Sequence, residues 1–238
     1  ARGIYFAMAK TIIVFGYGPG ISHGVAEKFG QEGFNVALVG RTQSKLDEGV
    51  KSLVAKGIKA QAFTADLNDP AATKQVVGRV REALGPIHTI EWTAYRLGAG
   101  DLLTAKPEEV SAVINIATNS LLAAVQASLA DLKAEKGAVL ITNGGFAYND
   151  PTIDSLLVKL DSAALGLANA AKHKLAGILH QQLKDEGVYV GEIVITGTVK
   201  GTAWDNGRNP TTLEPATLGA VYWDFAQKRA DWSIKYPG

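Results

Sequence analysis

Cysteine is absent from the 238 residues, which excludes disulfide scaffolds, thiolate metal sites and cysteine nucleophiles together. Its absence also agrees with a reducing compartment, so a cytoplasmic location is the expectation. Long apolar runs are missing too. Hydrophobic residues make up 47% of the chain, yet no uninterrupted run reaches the ~18 to 20 residues that cross a bilayer. Nor is there an excess of one charge: 24 basic and 23 acidic residues are interspersed and leave a net charge of +1. That balance points to neither nucleic acid nor a membrane surface as a partner. Methionine occurs once, at Met8, and Met8-Ala9-Lys10 reads as a natural start. Residues 1–7 lack the zones of a signal peptide and read as a remnant of expression, the alternative being a genuine N-terminal extension.

Short β-branched runs alternate with longer helical patterns throughout. Lys10 to Phe15 is a continuous apolar run of the kind buried on both faces. Further strands are expected at Phe34 to Val39, Ile58 to Thr64, Ile87 to Thr93, Ala138 to Thr142, Val188 to Ile195 and around Trp232 to Tyr236. Between them, Ile21, Val25 and Phe29 mark one helical stripe, and Leu46, Val50 and Leu53 a second. Asp69-Pro70 supplies a cap and a first-turn proline for a third. Pro107 opens a helix through Leu129, a long helical stretch runs from about Leu156 to Lys184, and Glu214 to Arg229 forms the last helix. Such βαβ alternation implies a parallel sheet of about seven strands with helices on both faces. The expectation is one doubly wound α/β domain over residues 8–238.

The loop Gly16-Tyr17-Gly18-Pro19-Gly20-Ile21-Ser22 lies between the first strand and the first helix. Glycines there permit a tight turn and a close approach of backbone to phosphates. The helix N-terminus adds free N–H groups and partial positive charge. In that context the loop reads as the pyrophosphate cradle of a dinucleotide, in a Rossmann-type domain. About 20 residues further on, many such folds carry an acid that binds the adenosine ribose. Here the position holds Gly40-Arg41-Thr42. An arginine pairs with a 2′-phosphate where an acid would repel it, so NADP is favoured over NAD.

Over its length from Met8 the chain resembles the short-chain dehydrogenase/reductase family. Gly16-x-x-x-Gly20-Ile21-Ser22 looks like the family's Gly-x-x-x-Gly-x-Gly loop, with Ser22 in place of the last glycine. Ala65-Asp66-Leu67 resembles the segment whose aspartate contacts the adenine. Thr93-Ala94 lies where the family has Asn-Asn-Ala-Gly, with Trp92 and Tyr95 departing from the pattern. Thr196-Gly197-Thr198-Val199 resembles the Pro-Gly-x-Val turn that orients the carboxamide, and Thr202 is placed to reach the phosphates. The resemblance implies a homodimer or homotetramer acting on a small molecule.

The same resemblance implies a tyrosine and a lysine four residues apart on one helix, a serine after the fifth strand and a helper asparagine. The tyrosine exchanges a proton with the substrate oxygen, the lysine cation lowers its pKa and the serine fixes the carbonyl. This chain departs from that pattern. Counting back from Gly187 puts the tyrosine position at Leu165 and the lysine position at Asn169; counting forward from the fifth strand gives Val158 and Ser162. The first register is preferred, because Ala170-Ala171 then follow as the family's small residues do. The serine position falls in Asn143-Gly144-Gly145, assigned to Gly145, and the asparagine position at Ala117, with Asn115 and Asn119 close by. Tyr148, just past the glycine pair, is the best single replacement. Tyr95, Asp154, Lys159, Asp161, Lys172 and His173 are further candidates, each of which also suits core packing or a wet helix face. His173 and His180 without carboxylate partners make a poor metal site. The residues after Gly201, through Trp204 and Asn209-Pro210, are expected to cover the nicotinamide end as a lid. Two readings stay open: a reductase with a non-standard proton donor, and a non-catalytic NADP-binding sensor or structural protein. A non-redox enzyme is a third.

Overall fold

The computed structural model describes residues 9–238, so the expected start at Met8 and the reading of residues 1–7 lie outside the described residues. Seven strands form a single parallel sheet: β1 (Thr11–Phe15), β2 (Asn35–Gly40), β3 (Ala60–Thr64), β4 (Ile87–Trp92), β5 (Ala138–Gly144), β6 (Tyr189–Ile195) and β7 (Ser233–Tyr236). Their order is β3-β2-β1-β4-β5-β6-β7, the doubly wound topology in which the strand order reverses between β1 and β4. Every expected strand is present, β3 beginning two residues late. In that order ligands bind outside the carboxyl ends of the strands at the switch point between β1 and β4.

Both sheet faces are covered. One core packs Ile13, Phe15, Val139 and Ile141 against α3 (Pro70–Leu84), α5 (Asn119–Glu135) and α7 (Ala163–Leu183). The other packs Ile12, Val14, Leu38 and Ile193 against α1 (Ile21–Gln31), α2 (Gln43–Val54) and α8 (Pro215–Lys228). The first strand is therefore apolar from Ile12 to Phe15 because alternate residues feed two different cores.

Two helices expected to be continuous are each split. The stretch from Pro107 divides into α4 (Pro107–Ala117) and α5 at Thr118, whose φ of −123° and ψ of −74° leave the helical region. Thr118 Oγ1 donates to the carbonyl of Ile114 at 2.9 Å, a back-bond that competes with the helical ladder. Residues 107–135 together are long and apolar enough to cross a membrane, but Leu121, Ala124 and Leu132 spend that apolarity in the core. The second split lies at Asp161, whose φ is +52°, between α6 (Pro151–Lys159) and α7. The first amide of α7, Ala163 N–H, donates out of the helix to the carbonyl of Gly100 at 3.1 Å.

Helices α1 and α8 meet backbone to backbone. A Cβ added at Gly24 would overlap the Pro215 carbonyl oxygen, and one at Gly219 would overlap the Gly24 oxygen. Replacing Gly24 by valine must push the two helices apart, which is expected to cost about 3 kcal/mol of stability. For a domain of this size that corresponds to a melting temperature lowered by roughly 6–12 °C. A thermal melt unchanged by Gly24→Val would contradict this packing.

Candidate functional site

The glycine loop leaves β1 at Gly16, whose φ is +84°. Its amide and that of Tyr17 both donate to the carbonyl of Val39 at 3.0 Å, folding the loop back over β2. A Cβ at Gly16 would lie 2.6 Å from the backbone of Ala94, so both the dihedral and the close approach require glycine. A Cβ at Gly20 would lie 2.6 Å from the Thr202 methyl, whereas one at Gly18 would meet nothing within 4 Å. Helix α1 starts after Gly20 without any side-chain cap. An uncapped helix N-terminus beneath an open glycine suits a phosphate: it offers unsatisfied amides, dipole and space.

Ser22 is buried and committed to the loop itself. Its hydroxyl accepts from Gly18 N–H at 2.8 Å and donates to the Gly18 carbonyl at 3.1 Å. The serine, in the place of the family's last glycine, thus shapes the turn that forms the cradle. Tyr17 extends away, its hydroxyl 2.9 Å from His23 Nδ1 and its ring against Gly49; burial pushes its pKa up to about 12. Thr202 likewise turns its hydroxyl inward, donating to the Val199 carbonyl at 2.7 Å. Val199 is buried and pairs with Leu213, so the intervening segment is a loop tied at its base.

At the adenosine end, Arg41 and Thr42 are exposed at the carboxyl end of β2. Asp66 accepts from the amide and the side chain of Asn68 at 3.0 and 2.8 Å. These bonds hold its carboxyl below the usual range, and Arg41 and Arg96 add to the effect. Leu67 and Ala94 are buried. Loop, arginine and aspartate therefore lie along one edge of the sheet.

The other half of the edge carries the positions where the resemblance implies proton transfer. A Cβ at Gly144 would lie 3.0 Å from Asn169 Nδ2, so Gly144, one residue before the expected Gly145, is the glycine that faces α7. Leu165 and Asn169 are buried, one turn apart on the same helix. Ala117 is buried against Ala164 and Ala168. Tyr148 stands apart from these, with Lys235 Nζ 4.3 Å above its ring and His173 at its edge, 5.5 Å between centroids. Partial burial and the Glu192 carboxylate raise its pKa.

Sequence reasoning missed a buried polar system beneath this edge. Glu192 on β6 is fully buried. Its Oε1 accepts from Asn143 Nδ2 at 2.7 Å; its Oε2 lies 2.6 Å from His173 Nδ1 and accepts from Ser233 Oγ at 2.7 Å. Asn143 Oδ1 accepts in turn from the amide of Gly144 at 3.0 Å. On the opposite sheet face the fully buried Glu91 accepts from Thr93 and, at 2.9 Å, from Thr142, whose hydroxyl lies 2.6 Å from that of Tyr222. Burial raises the Glu91 carboxyl to about 7, against the pull of Thr93, Thr142 and Lys172. Lys172, on α7 one turn beyond Asn169, is also buried. Burial lowers its amine to about 8, and Glu192 and Glu91 limit the shift.

Comparison with known proteins agrees with this geometry. The family model for short chain dehydrogenases matches residues 10–211. The chain is 28% identical over 151 residues to 2,3-dihydro-2,3-dihydroxybenzoate dehydrogenase of Bacillus subtilis, a match covering 63% of this chain and 57% of that protein. It is 25% identical over 201 residues to a diacetyl reductase [(S)-acetoin forming] of Staphylococcus epidermidis, covering 83% and 74%. A metagenomic short-chain oxidoreductase in complex with NADP shares the fold with a TM-score of 0.78 at 21% identity, covering 96% of both chains. A 3-oxoacyl (acyl-carrier-protein) reductase from Agrobacterium tumefaciens with NADP bound gives 0.81 at 18% identity, covering 97% of this chain and 94% of that one. With a loop of this shape on this topology and a family match over most of its length, the chain belongs to the short chain dehydrogenase family.

Proposed function

We propose that the protein is an NADP(H)-dependent oxidoreductase acting on a small carbonyl or hydroxyl compound, with Tyr148 supplying the proton. The observation that carries this reading is the uncapped N-terminus of α1 under Gly18, with exposed Arg41 at the end of β2. The open glycine and free first-turn amides suit the pyrophosphate, and the guanidinium suits a 2′-phosphate through paired N–H donors. Several structural neighbours are complexes with NADP or NADPH, which supports the same cofactor. When bound, the nicotinamide supplies or accepts hydride. The protein's part is to hold that ring beside Val199 and Thr198, exclude water under the 200–213 loop, and exchange a proton with the substrate oxygen.

Gly144, Leu165 and Asn169 carry no acidic side-chain proton, which is why the proton is assigned to the phenol of Tyr148. The same observation favours a second reading, a protein that binds NADP without turning over. Diacetyl with NADPH, followed by the absorbance of the reduced nicotinamide, separates the two. Turnover that falls with Tyr148→Phe at unchanged NADPH affinity supports the enzyme. Tight NADPH binding with no turnover across a carbonyl panel supports the sensor.

Cofactor choice has its own test. Losing a charged, bidentate phosphate contact costs about 1.5–3 kcal/mol, so Arg41→Glu is expected to raise the Kd for NADPH by roughly 10- to 100-fold. The Kd for NADH should be unchanged or lower. Equal losses for both nucleotides in titration calorimetry would place the 2′-phosphate elsewhere.

A further inference from the structure

We infer that the substrate carries an extended hydrocarbon group, held on an apolar rim formed by the connections that follow three neighbouring strands at the carboxyl end of the sheet. The inference rests on the proposed oxidoreductase function and adds the class of substrate.

Large hydrophobic side chains are unevenly exposed. Among the described residues eleven are exposed, and eight of them fall on three segments: 95–103, 156–160 and Trp204. Those segments follow β4, β5 and β6, adjacent strands in the sheet. Leu103 is 96% exposed and Val158 75%. Isolated exposed apolar residues need no explanation, but their concentration on the connections that leave the ligand-binding end of an α/β sheet does.

Two of the three segments are held together by backbone hydrogen bonds. Ala163 N–H donates to Gly100 O at 3.1 Å and Ala164 N–H to Ala99 O at 3.4 Å. A Cβ at Gly100 would overlap the Asp161 carbonyl. The loop bearing Leu97, Leu102 and Leu103 is therefore clamped to the α6–α7 joint, next to Leu156 and Val158. The third segment is anchored over the phosphate loop: the Thr202 methyl meets Gly20, and a Cβ at Gly201 would lie 3.6 Å from Pro19. Trp204 follows that anchor, 44% exposed.

Loops rising from three neighbouring strand ends surround the place where hydride transfer occurs, and an alkyl chain lying across them removes their apolar surface from water. A second copy of the chain is the less fitting occupant. Exposed Leu167 and Ile178, eleven residues apart and so on one side of α7, offer it a longer regular helix face.

The test is a series of straight-chain aldehydes from four to twelve carbons with NADPH. Each methylene buried is expected to raise kcat/KM about threefold to fourfold until the rim is spanned. Leu103→Asp and Val158→Asp should flatten that dependence while leaving the melting temperature and the NADPH Kd unchanged. A second readout does not need turnover: straight-chain alcohols of the same lengths, added to the NADPH complex, should shift the tryptophan fluorescence with affinity rising with length. That shift should vanish in Trp204→Phe. Length-dependent alcohol binding with no aldehyde turnover would keep the alkyl-binding rim and refute the oxidoreductase reading on which the substrate assignment rests. Neither chain-length dependence nor alcohol binding, with NADPH bound, would overturn the inference. So would an unchanged length dependence in Leu103→Asp accompanied by dissociation of an oligomer, which would make the rim an interface between copies.

Discussion

Glu91→Gln is expected to stabilise the protein at pH 8 by about 3 kcal/mol and to change its stability little at pH 4.5. The carboxyl is fully buried and held at about 7, against a value of 4.5 without burial. Between those values the unfolded chain has lost this proton while the folded chain keeps it. Stability from this group is therefore complete below about 4.5 and is lost as pH rises through about 7. A tenfold change in proton affinity corresponds to about 1.4 kcal/mol. Glutamine keeps an oxygen for Thr93 and Thr142 and cannot ionise, so it escapes the loss. Lys172 works in the opposite window: its amine is lowered to about 8 from 10.5, so its contribution is present above about 10.5 and lost as pH falls through about 8. The wild type should thus be least stable, as far as these two groups are concerned, between about pH 7 and 8, where both are charged. Urea unfolding of wild type and Glu91→Gln at pH 4.5 and 8 measures the difference. Parallel pH profiles would show that Glu91 ionises freely in the folded state.

Buried charges kept at such a cost cluster at functional sites, and Glu91 and Glu192 sit one and three residues before the ends of their strands, below the candidate site. Glu91 stands two residues before Thr93, and Glu192 is bonded to Asn143, the neighbour of Gly144. Their positions connect stability to the chemistry of the edge above them.

Local patterns made most of the fold legible. Strand runs, glycine stops and Pro-initiated helices act within a few residues, and the sheet follows from their alternation. The loop at Gly16 was legible for the same reason, since glycine spacing between strand and helix encodes φ and clearance directly. The breaks at Thr118 and Asp161 were not. Thr118 sits in an apolar pattern whose period continues past it, and the turn at Asp161 depends on a carbonyl from Gly100, some sixty residues away in sequence. The buried polar system was also hidden. Glu91 and Glu192 each interrupt an apolar strand, which was a usable signal, but their partners Thr142, His173 and Ser233, and Tyr222 behind Thr142, come from other elements. Lys172 shares a helix face with Leu165 and Asn169 at spacings of seven and three, a relation visible in the sequence once the register is chosen.

Restoring the implied proton-transfer set should have the largest effect on activity. In Gly144→Ser/Leu165→Tyr/Asn169→Lys together, turnover of diacetyl with NADPH is expected to rise by about 10²-fold or more, the range that positioned acid–base groups contribute. Positions 165 and 169 lie one turn apart, so the introduced ammonium sits beside the introduced phenol and lowers its pKa. The serine depends on the lysine change for room, because a Cβ at 144 lies 3.0 Å from the Asn169 amide. Gly144→Ser alone is therefore expected to gain nothing, and the three changes should be strongly non-additive. Lys172 is buried one turn further along and retains Glu192 as a counter-charge, which limits repulsion from a second lysine. The NADPH Kd should stay within about threefold, since the phosphate loop and Arg41 are untouched. A triple variant that folds, binds NADPH and gains no turnover would mean that the register placing Leu165 and Asn169 at the reacting end is wrong. A gain whose pH profile acquires a new limb, absent from Leu165→Phe/Asn169→Lys, would identify the introduced phenol as the proton donor.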